Sequence, residues 1–187
     1  MDHFVLDLAT PDGSLAYFTI YSLGHMAEMG SGRVALLRAT TDTGLVDLCF
    51  AETLQLGERM QARLRAIRQD GGRAPEVGVS STPVEGSFSL TPSEDGEFTW
   101  TVDSTPHRVK ATWRSGHEPF FVKAPMGSFH PSRDYVATMI SFDQAELRID
   151  DTAIDGHPYP HAWFEEVLGR SFSSCHVALA ETAVDAL

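Results

Sequence analysis

The sequence has few basic residues, and this scarcity restricts the class of partner. Its 187 residues contain 14 Lys and Arg against 26 Asp and Glu, which gives a formal net charge of −12. Proteins that bind nucleic acid or anionic membranes need clustered basic side chains, because both partners are negatively charged. We therefore expect neither a nucleic-acid nor a membrane partner. A neutral or cationic small molecule is compatible with this charge.

Cysteine is equally scarce. Cys49 and Cys175 both stand in apolar, strand-like segments, and neither belongs to a Cys-x-x-Cys pair. Isolated cysteines of this kind form no zinc site and are typical of buried free thiols in a reducing compartment. The start of the chain lacks the pattern of a secretory signal, and no apolar run approaches the ~20 residues of a membrane-spanning helix. We therefore expect a cytoplasmic protein.

The common catalytic motifs are also missing. There is no Gly-x-Ser-x-Gly elbow, no phosphate-binding loop, no dinucleotide fingerprint and no His-Glu-x-x-His motif. His157 and His161 have the i, i+4 spacing of helical metal ligands, but Pro158 and Pro160 disfavour a helix there. We predict neither a metal ion nor any other cofactor.

What the chain does contain is a series of short strand-like segments separated by turn signals. About ten to twelve such segments recur at the spacing that sandwiches and barrels show. Strand counting does not separate these two folds, but closure into a barrel removes exposed sheet edges. We predict an all-β single domain over residues 1–187: a lipocalin-like antiparallel β-barrel with one short helix near the C-terminal strand.

The segment from Glu58 to Gln69 fits two patterns. One face of a helix would carry Met60, Leu64 and Ile67, whereas one face of a strand would carry Met60, Ala62, Leu64 and Ala66. Composition favours a helix, because only Ile67 is β-branched. The all-β surroundings favour a strand, since context readily overrides local propensity. The expectation is a strand.

The final strand separates two kinds of side chain by period-2 alternation. The face of small and polar residues carries Ser174, His176, Ala178 and Ala180. A face of this kind could line a cavity in which His176 forms hydrogen bonds or transfers protons. The alternative is a histidine whose hydrogen bonds are satisfied within the core.

A short helical turn before the final strand brings aromatic and acidic residues together. If Glu165 faces the barrel mouth beside Trp163, desolvation would raise its pKa, as a general acid requires. Glu165 and Glu166 point about 100° apart on a helix, so both cannot face one substrate. The alternative is that both are solvated.

Three segments resemble a known family. They are Leu147-Arg-Ile-Asp-Asp-Thr-Ala-Ile-Asp-Gly156, Ala162-Trp-Phe-Glu-Glu166 and Asp12-Gly-Ser-Leu-Ala-Tyr-Phe18. They resemble the lipocalin-like family of bacterial carotenoid hydratases, whose Trp-then-Asp arrangement appears here as Trp163-Phe164-Glu165. Small Diels–Alderases and other cyclases of bacterial polyketide pathways use the same barrel type, and the chain is similar to them in size.

The resemblance implies a cofactor-independent cyclase that holds a hydrophobic, polyketide-like substrate in the barrel cavity. Such an enzyme acts mainly by folding its substrate into a reactive conformer. The reaction could be a [4+2] cycloaddition, an ether-forming cyclisation or a hydration. The alternatives are a non-catalytic carrier or sensor of a small hydrophobic ligand, and a structural protein without a cavity. The oligomeric state is left open.

These considerations lead to a set of candidate site residues. The predicted catalytic residues are His176, Tyr135 and Glu165. The predicted substrate-binding residues are Trp163, Trp100, Trp113, Met139, Met126 and Phe129. For the strand residues among these candidates, Trp100, Trp113, Tyr135 and Met139, the alternative is packing in the core. Met126 and Phe129 are apolar residues on a loop, and we expect them to cover the barrel mouth beside Trp163 as a lid. The alternative is that both pack on the outer wall of the barrel.

Overall fold

The computed structural model describes residues 1–26, 29–71, 74–93, 95–125 and 133–184, except for the side chains of His25, Met26, Trp163 and Val184. Within this part of the chain there are eleven strands and two helices. In order, they are β1 (Asp2–Ala9), β2 (Leu15–Met26), β3 (Gly30–Thr41), β4 (Gly44–Ala51), α1 (Leu54–Gln69), β5 (Val84–Pro92), β6 (Phe98–Ser104), β7 (Arg108–Gly116), β8 (Phe120–Ala124), β9 (Asp134–Ile149), β10 (Thr152–Ile154), α2 (Ala162–Leu168) and β11 (His176–Val184).

Nine of the strands close into a ring, and this confirms the predicted all-β barrel. The order around the ring is β9-β11-β1-β2-β3-β4-β5-β6-β7, and β7 pairs back to β9. Neighbours are antiparallel except β4 and β5, which are parallel. Closure depends on the long strand β9, whose first half pairs with β11 and whose second half pairs with β7.

Side chains from all around the ring fill the interior of the barrel. Phe4 on β1 contacts Trp100 and Trp113, on strands that are not its neighbours, at ring-centroid distances of 5.5 and 5.7 Å. The indole Nε1 of Trp113 donates a 2.8 Å hydrogen bond to the carbonyl oxygen of Val5. The predicted ligand cavity inside the barrel is therefore wrong, because packed apolar residues occupy that space.

Helix α1 replaces the strand that we expected over Glu58–Gln69. The side chain of Thr53 caps its first turn by accepting a hydrogen bond from the backbone nitrogen of Leu56. Leu56, Met60 and Leu64 form one buried face, which packs on the outside of the barrel wall. A capped segment with high helix propensity and an apolar face to bury is stable as a helix. Here these local factors outweighed the all-β context.

The second helix, α2, packs on the outside of the barrel at β8 and β9. It ends at Gly169, whose φ of 66° confirms the left-handed position expected of a glycine after a helix. Phe164 of α2 and Phe172 after it belong to a buried cluster with Tyr135, Met139 and Ala178. In the described part of the chain, neither helix combines the length and apolar character that crossing a membrane would require.

Candidate functional site

A cavity of about 670 Å³ lies against the outer face of the barrel, and we refer to it as the outer cavity. Its floor consists of residues from four neighbouring strands, namely His3, Val5, Asp7, Tyr17, Tyr21, Tyr135, Met139, His176, Ala178 and Glu181. One wall is formed by α1 and the chain after it, with Leu64, Arg68, Gly71, Ala74, Pro75 and Glu76. The other wall is formed by His161, Phe164 and Ser174. Its volume is in the range of small-molecule sites.

Strand alternation produces the floor of this cavity. On β1, residues 4, 6 and 8 belong to the barrel core, whereas His3, Val5 and Asp7 line the outer cavity. Across the neighbouring strands, His3 pairs with Tyr21 and Val5 pairs with His176. Because paired residues on one face lie within contact distance, the floor is a grid of side chains with His176 near its centre.

His176 is buried, with 5% of its surface exposed. Its ring packs against Phe164 at 4.7 Å and against Phe172 at 5.2 Å. Among the described residues, its Nδ1 atom is buried without a hydrogen-bond partner. Burial, with the nearby His3 and His161, lowers the pKa of His176 from 6.5 to about 3. At neutral pH the ring is therefore uncharged and can act as both donor and acceptor.

His3 and Glu181 form one polar end of the outer cavity. The Nε2 atom of His3 lies 2.8 Å from Thr19 Oγ1, and its Nδ1 atom lies 3.5 Å from Glu181 Oε2. The His3 ring stacks on Tyr21 with a centroid distance of 4.3 Å. These contacts on three sides hold the imidazole in one orientation beside the carboxylate.

Asp7 forms the other polar end, and Tyr159, which does not line the cavity, binds its carboxylate. The phenol of Tyr159 donates a 2.7 Å hydrogen bond to Asp7 Oδ2, and Oδ1 is buried without a hydrogen-bond partner in the described chain. Burial raises the pKa of Asp7, although the Tyr159 hydrogen bond and the nearby His161 act in the opposite direction. Asp7 is therefore more readily protonated than an exposed aspartate.

Removing the Tyr159 hydroxyl should raise the pKa of Asp7 further. The hydroxyl stabilises the ionised carboxylate and so lowers the pKa of Asp7. In Tyr159→Phe this lowering is lost, and the effect of burial, which raises the pKa, remains. The measurement is the pH titration of the Asp7 carboxyl carbon by ¹³C NMR. Tyr17→Phe is the matched control, because Tyr17 pairs with Asp7 across β1 and β2 but does not hydrogen-bond to its carboxylate. An Asp7 pKa that stayed the same or fell in Tyr159→Phe would contradict this assignment.

Three of the predicted site residues come together in the outer cavity. They are His176, Tyr135 and Met139. Ser174 and Ala178, which share the face of His176 by alternation, line it as well. Burial and the charge of Glu181 raise the pKa of Tyr135, so its hydroxyl stays protonated and can donate a hydrogen bond.

The other predicted site residues do not line this cavity or are not described. Trp100 and Trp113 are 2% and 0% exposed in the barrel core, so they belong to the interior and not to the outer cavity. Glu165 is exposed on α2 and does not line the cavity. The side chain of Trp163, and Met126 and Phe129 with the lid proposed for them, lie outside the described residues.

The sequence reasoning did not single out His3, Asp7 or Glu181. His3 and Asp7 could have been placed on the outer face of the barrel from the sequence, because they alternate with core residues along the first strand. Glu181 carried no such signal, because alternation from Cys175 and Val177 would place it on the core side. A register shift between Leu179 and Thr182 turns its side chain outward instead.

The described residues contain no group of three or more His, Cys, Asp or Glu side chains arranged to hold a metal ion. The prediction that no cofactor is needed stays a prediction.

The comparisons with known proteins show no family for this chain. The chain matches no family model and no curated protein. Among solved structures, it is similar to the crystal structure of acetoacetate decarboxylase from Legionella pneumophila, with 10% identity and a TM-score of 0.45 over 98% of this chain and 82% of that chain. No sequence-family evidence supports the carotenoid hydratase or Diels–Alderase names.

Proposed function

We propose that the protein is a cofactor-independent cyclase that acts by proton transfer on a small, hydrophobic, polyketide-like molecule bound in the outer cavity. The observation that carries this proposal is the uncharged, almost fully buried His176 at the centre of the cavity floor, between two polar ends. The resemblance noted in the sequence suggests the class of substrate. The cavity suggests the chemistry.

The composition of the cavity favours catalysis over simple carriage. A carrier of hydrophobic molecules needs only apolar walls, and burying ionisable groups costs free energy. This cavity nevertheless holds three histidines, three carboxylates and three tyrosines, and the pKa of His176, Asp7 and Tyr135 is displaced. Groups of perturbed pKa gathered in one cavity are characteristic of sites that transfer protons.

The same set of ionisable groups favours an ether-forming cyclisation over a cycloaddition. An ether-forming cyclisation requires proton transfer, whereas a cycloaddition does not. A hydroxyl of the substrate would lose its proton to a base of the cavity, and its oxygen would bond to the β-carbon of a conjugated carbonyl. The electron pair of the C=C bond would move toward the carbonyl oxygen, to which His176 can donate a hydrogen bond. The proton would then return to the α-carbon, so the product is an isomer of the substrate.

The apolar part of the cavity would hold the chain of the substrate in a folded conformation. Val5, Met139, Phe164 and Ala178 supply this surface around His176. Holding the hydroxyl near the conjugated carbon converts ring closure into a step with little remaining entropic cost, which can lower the barrier by several kcal/mol.

The test is incubation with a linear hydroxy-enone chain that can close to a six-membered cyclic ether. Because the product has the same mass, it is detected by chromatographic retention as well as by mass spectrometry. Wild-type protein should accelerate closure, and His176→Gln should slow it by roughly 10²-fold or more. If wild-type protein bound the chain and returned it unchanged, the function would be that of a carrier and the cyclase proposal would be wrong.

A further inference from the structure

The final strand contains a bulge between Leu179 and Thr182. The bulge in β11 places Ala180 at a φ of 53°, in the left-handed region that residues with a side chain rarely adopt. The backbone nitrogen of Ala180 donates a hydrogen bond to Asp2 Oδ1 at 2.9 Å, which holds the bulge in place. Bulges of this kind commonly re-aim a side chain beside an active site.

The side chain that this bulge re-aims is Glu181. We propose that Glu181 is the general base of the outer cavity and that His3 is the residue that positions it. This inference rests on the proposed function and deepens it by naming the group that accepts the substrate's proton.

The hydrogen bonds of Thr19 determine which nitrogen of His3 carries a proton. Thr19 Oγ1 donates its single proton to the carbonyl oxygen of Phe4 at 2.8 Å. Its 2.8 Å contact with His3 Nε2 therefore requires Nε2 to be the donor. The other ring nitrogen, Nδ1, lies on the ring edge 3.5 Å from Glu181 Oε2, and it attracts this carboxylate when it carries a proton.

The carboxylate of Glu181 is partly buried and partly accessible. Its Oε2 atom is buried, faces His3 and has no hydrogen-bond partner among the described residues. The side chain nevertheless keeps 19% of its surface exposed and lines the cavity. This leaves Oε1 as the oxygen that a molecule in the cavity can reach.

Other ionisable groups border this pair from each neighbouring element. Tyr21 on β2, Tyr135 on β9 and His176 on β11 face it from the floor, and the paired Arg68 and Glu76 lie along the wall formed by α1 and the chain after it. The charge of Glu181 contributes to the raised pKa of both tyrosines. Both phenols therefore stay protonated and do not compete with Glu181 as bases.

In the proposed cyclisation, Glu181 Oε1 takes the proton of the substrate's hydroxyl. The O–H bond of the substrate breaks, an O–H bond to the carboxylate forms, and the freed electron pair forms the new C–O bond. Glu181 then returns the proton to the α-carbon of the product. No electrons are gained or lost, and no co-reactant is needed.

The experiment uses a probe that reports a base in a small cavity without knowledge of the natural substrate. In 5-nitrobenzisoxazole, a base removes the proton on the ring carbon beside nitrogen, the N–O bond breaks, and a coloured cyano-nitrophenolate forms. Wild-type protein should open this ring much faster than free acetate at equal concentration. Glu181→Gln should lower kcat/KM by roughly 10²-fold or more. Glu85→Gln, which changes an exposed carboxylate on β5, should leave it unchanged.

The role of His3 is read from the separate kinetic constants. His3→Gln should lower kcat by about tenfold and change KM much less, because His3 aligns the base and is one of many residues on the floor that holds the probe. Glu181→Asp should recover part of the loss seen in Glu181→Gln, and circular dichroism should show that all variants are folded.

The two proposals fail in different ways. If Glu181→Gln kept more than a third of the wild-type rate, or if wild-type protein were no faster than acetate, the assignment of Glu181 would be overturned. If ring opening depended on Glu181 but the hydroxy-enone chain were returned unchanged, the base would be established and the cyclase function would be wrong.

Discussion

Replacing Trp113 by alanine should lower the free energy of unfolding by about 3–5 kcal/mol, the usual loss when a large core aromatic is truncated. Trp113 is 0% exposed and contacts Phe4 across the interior of the barrel. The substitution would leave a cavity that the closed ring of strands cannot easily collapse. It would also leave the carbonyl oxygen of Val5 without the indole donor. The measurement is urea unfolding at neutral pH.

Two further variants make this prediction specific. Phe121→Ala removes an aromatic residue that is 69% exposed on β8, and it should change the free energy of unfolding by less than about 0.5 kcal/mol. Trp113→Phe keeps most of the packing and removes the indole donor, and it should cost about 1–3 kcal/mol. If Trp113→Ala were no more damaging than Phe121→Ala, the interior would not be packed as described.

The barrel was predictable from the sequence because short-range sequence patterns determine its strands and turns. Turn residues at regular spacing and alternating apolar side chains specify short strands, and closure of a sheet removes its edges. The position of the cavity was not predictable in this way. Both faces of the wall carry apolar residues, and alternation alone does not say which face is inside. Contacts across the ring, such as that of Phe4 with Trp100, decide it.

The final strand shows where alternation succeeds and where it stops. The face predicted for Ser174, His176 and Ala178 is the one that lines the outer cavity. The pattern fails at Ala180, because the bulge inserts a residue and exchanges the two faces. Position 180 is an alanine, not a glycine or asparagine, so the residue type does not indicate a left-handed backbone conformation there. Glu181 could be found only in three dimensions.

The second large effect concerns acid stability and His176. The folded state holds this residue at a pKa of about 3, against 6.5 when it is exposed. Above pH 6.5 the ring is neutral in both states, and stability does not depend on it. Between pH 6.5 and about 3 the unfolded chain binds a proton that the folded protein does not, so the free energy of unfolding falls as the pH falls.

This dependence can be isolated by comparing wild-type protein with His176→Gln, a neutral variant that does not titrate. Between pH 7.5 and 5.0, wild-type protein should lose about 2 kcal/mol more than the variant, since each pH unit below 6.5 costs roughly 1.4 kcal/mol. Asp7 acts in the opposite direction, because its raised pKa favours the folded state as the pH falls. Asp7 is present in both proteins, so its effect cancels in the difference.

The measurement is urea unfolding of both proteins at the two pH values. Equal losses would mean that His176 becomes protonated in the folded state near its ordinary pKa, and the ring would then carry a charge at the centre of the cavity floor. A difference of the expected size would instead establish a neutral imidazole across the physiological range. Because its pKa is about 3, the neutral ring can donate a hydrogen bond to a substrate carbonyl but is too weak a base to compete with Glu181 for the substrate's proton. The proposed cyclisation requires this division of roles.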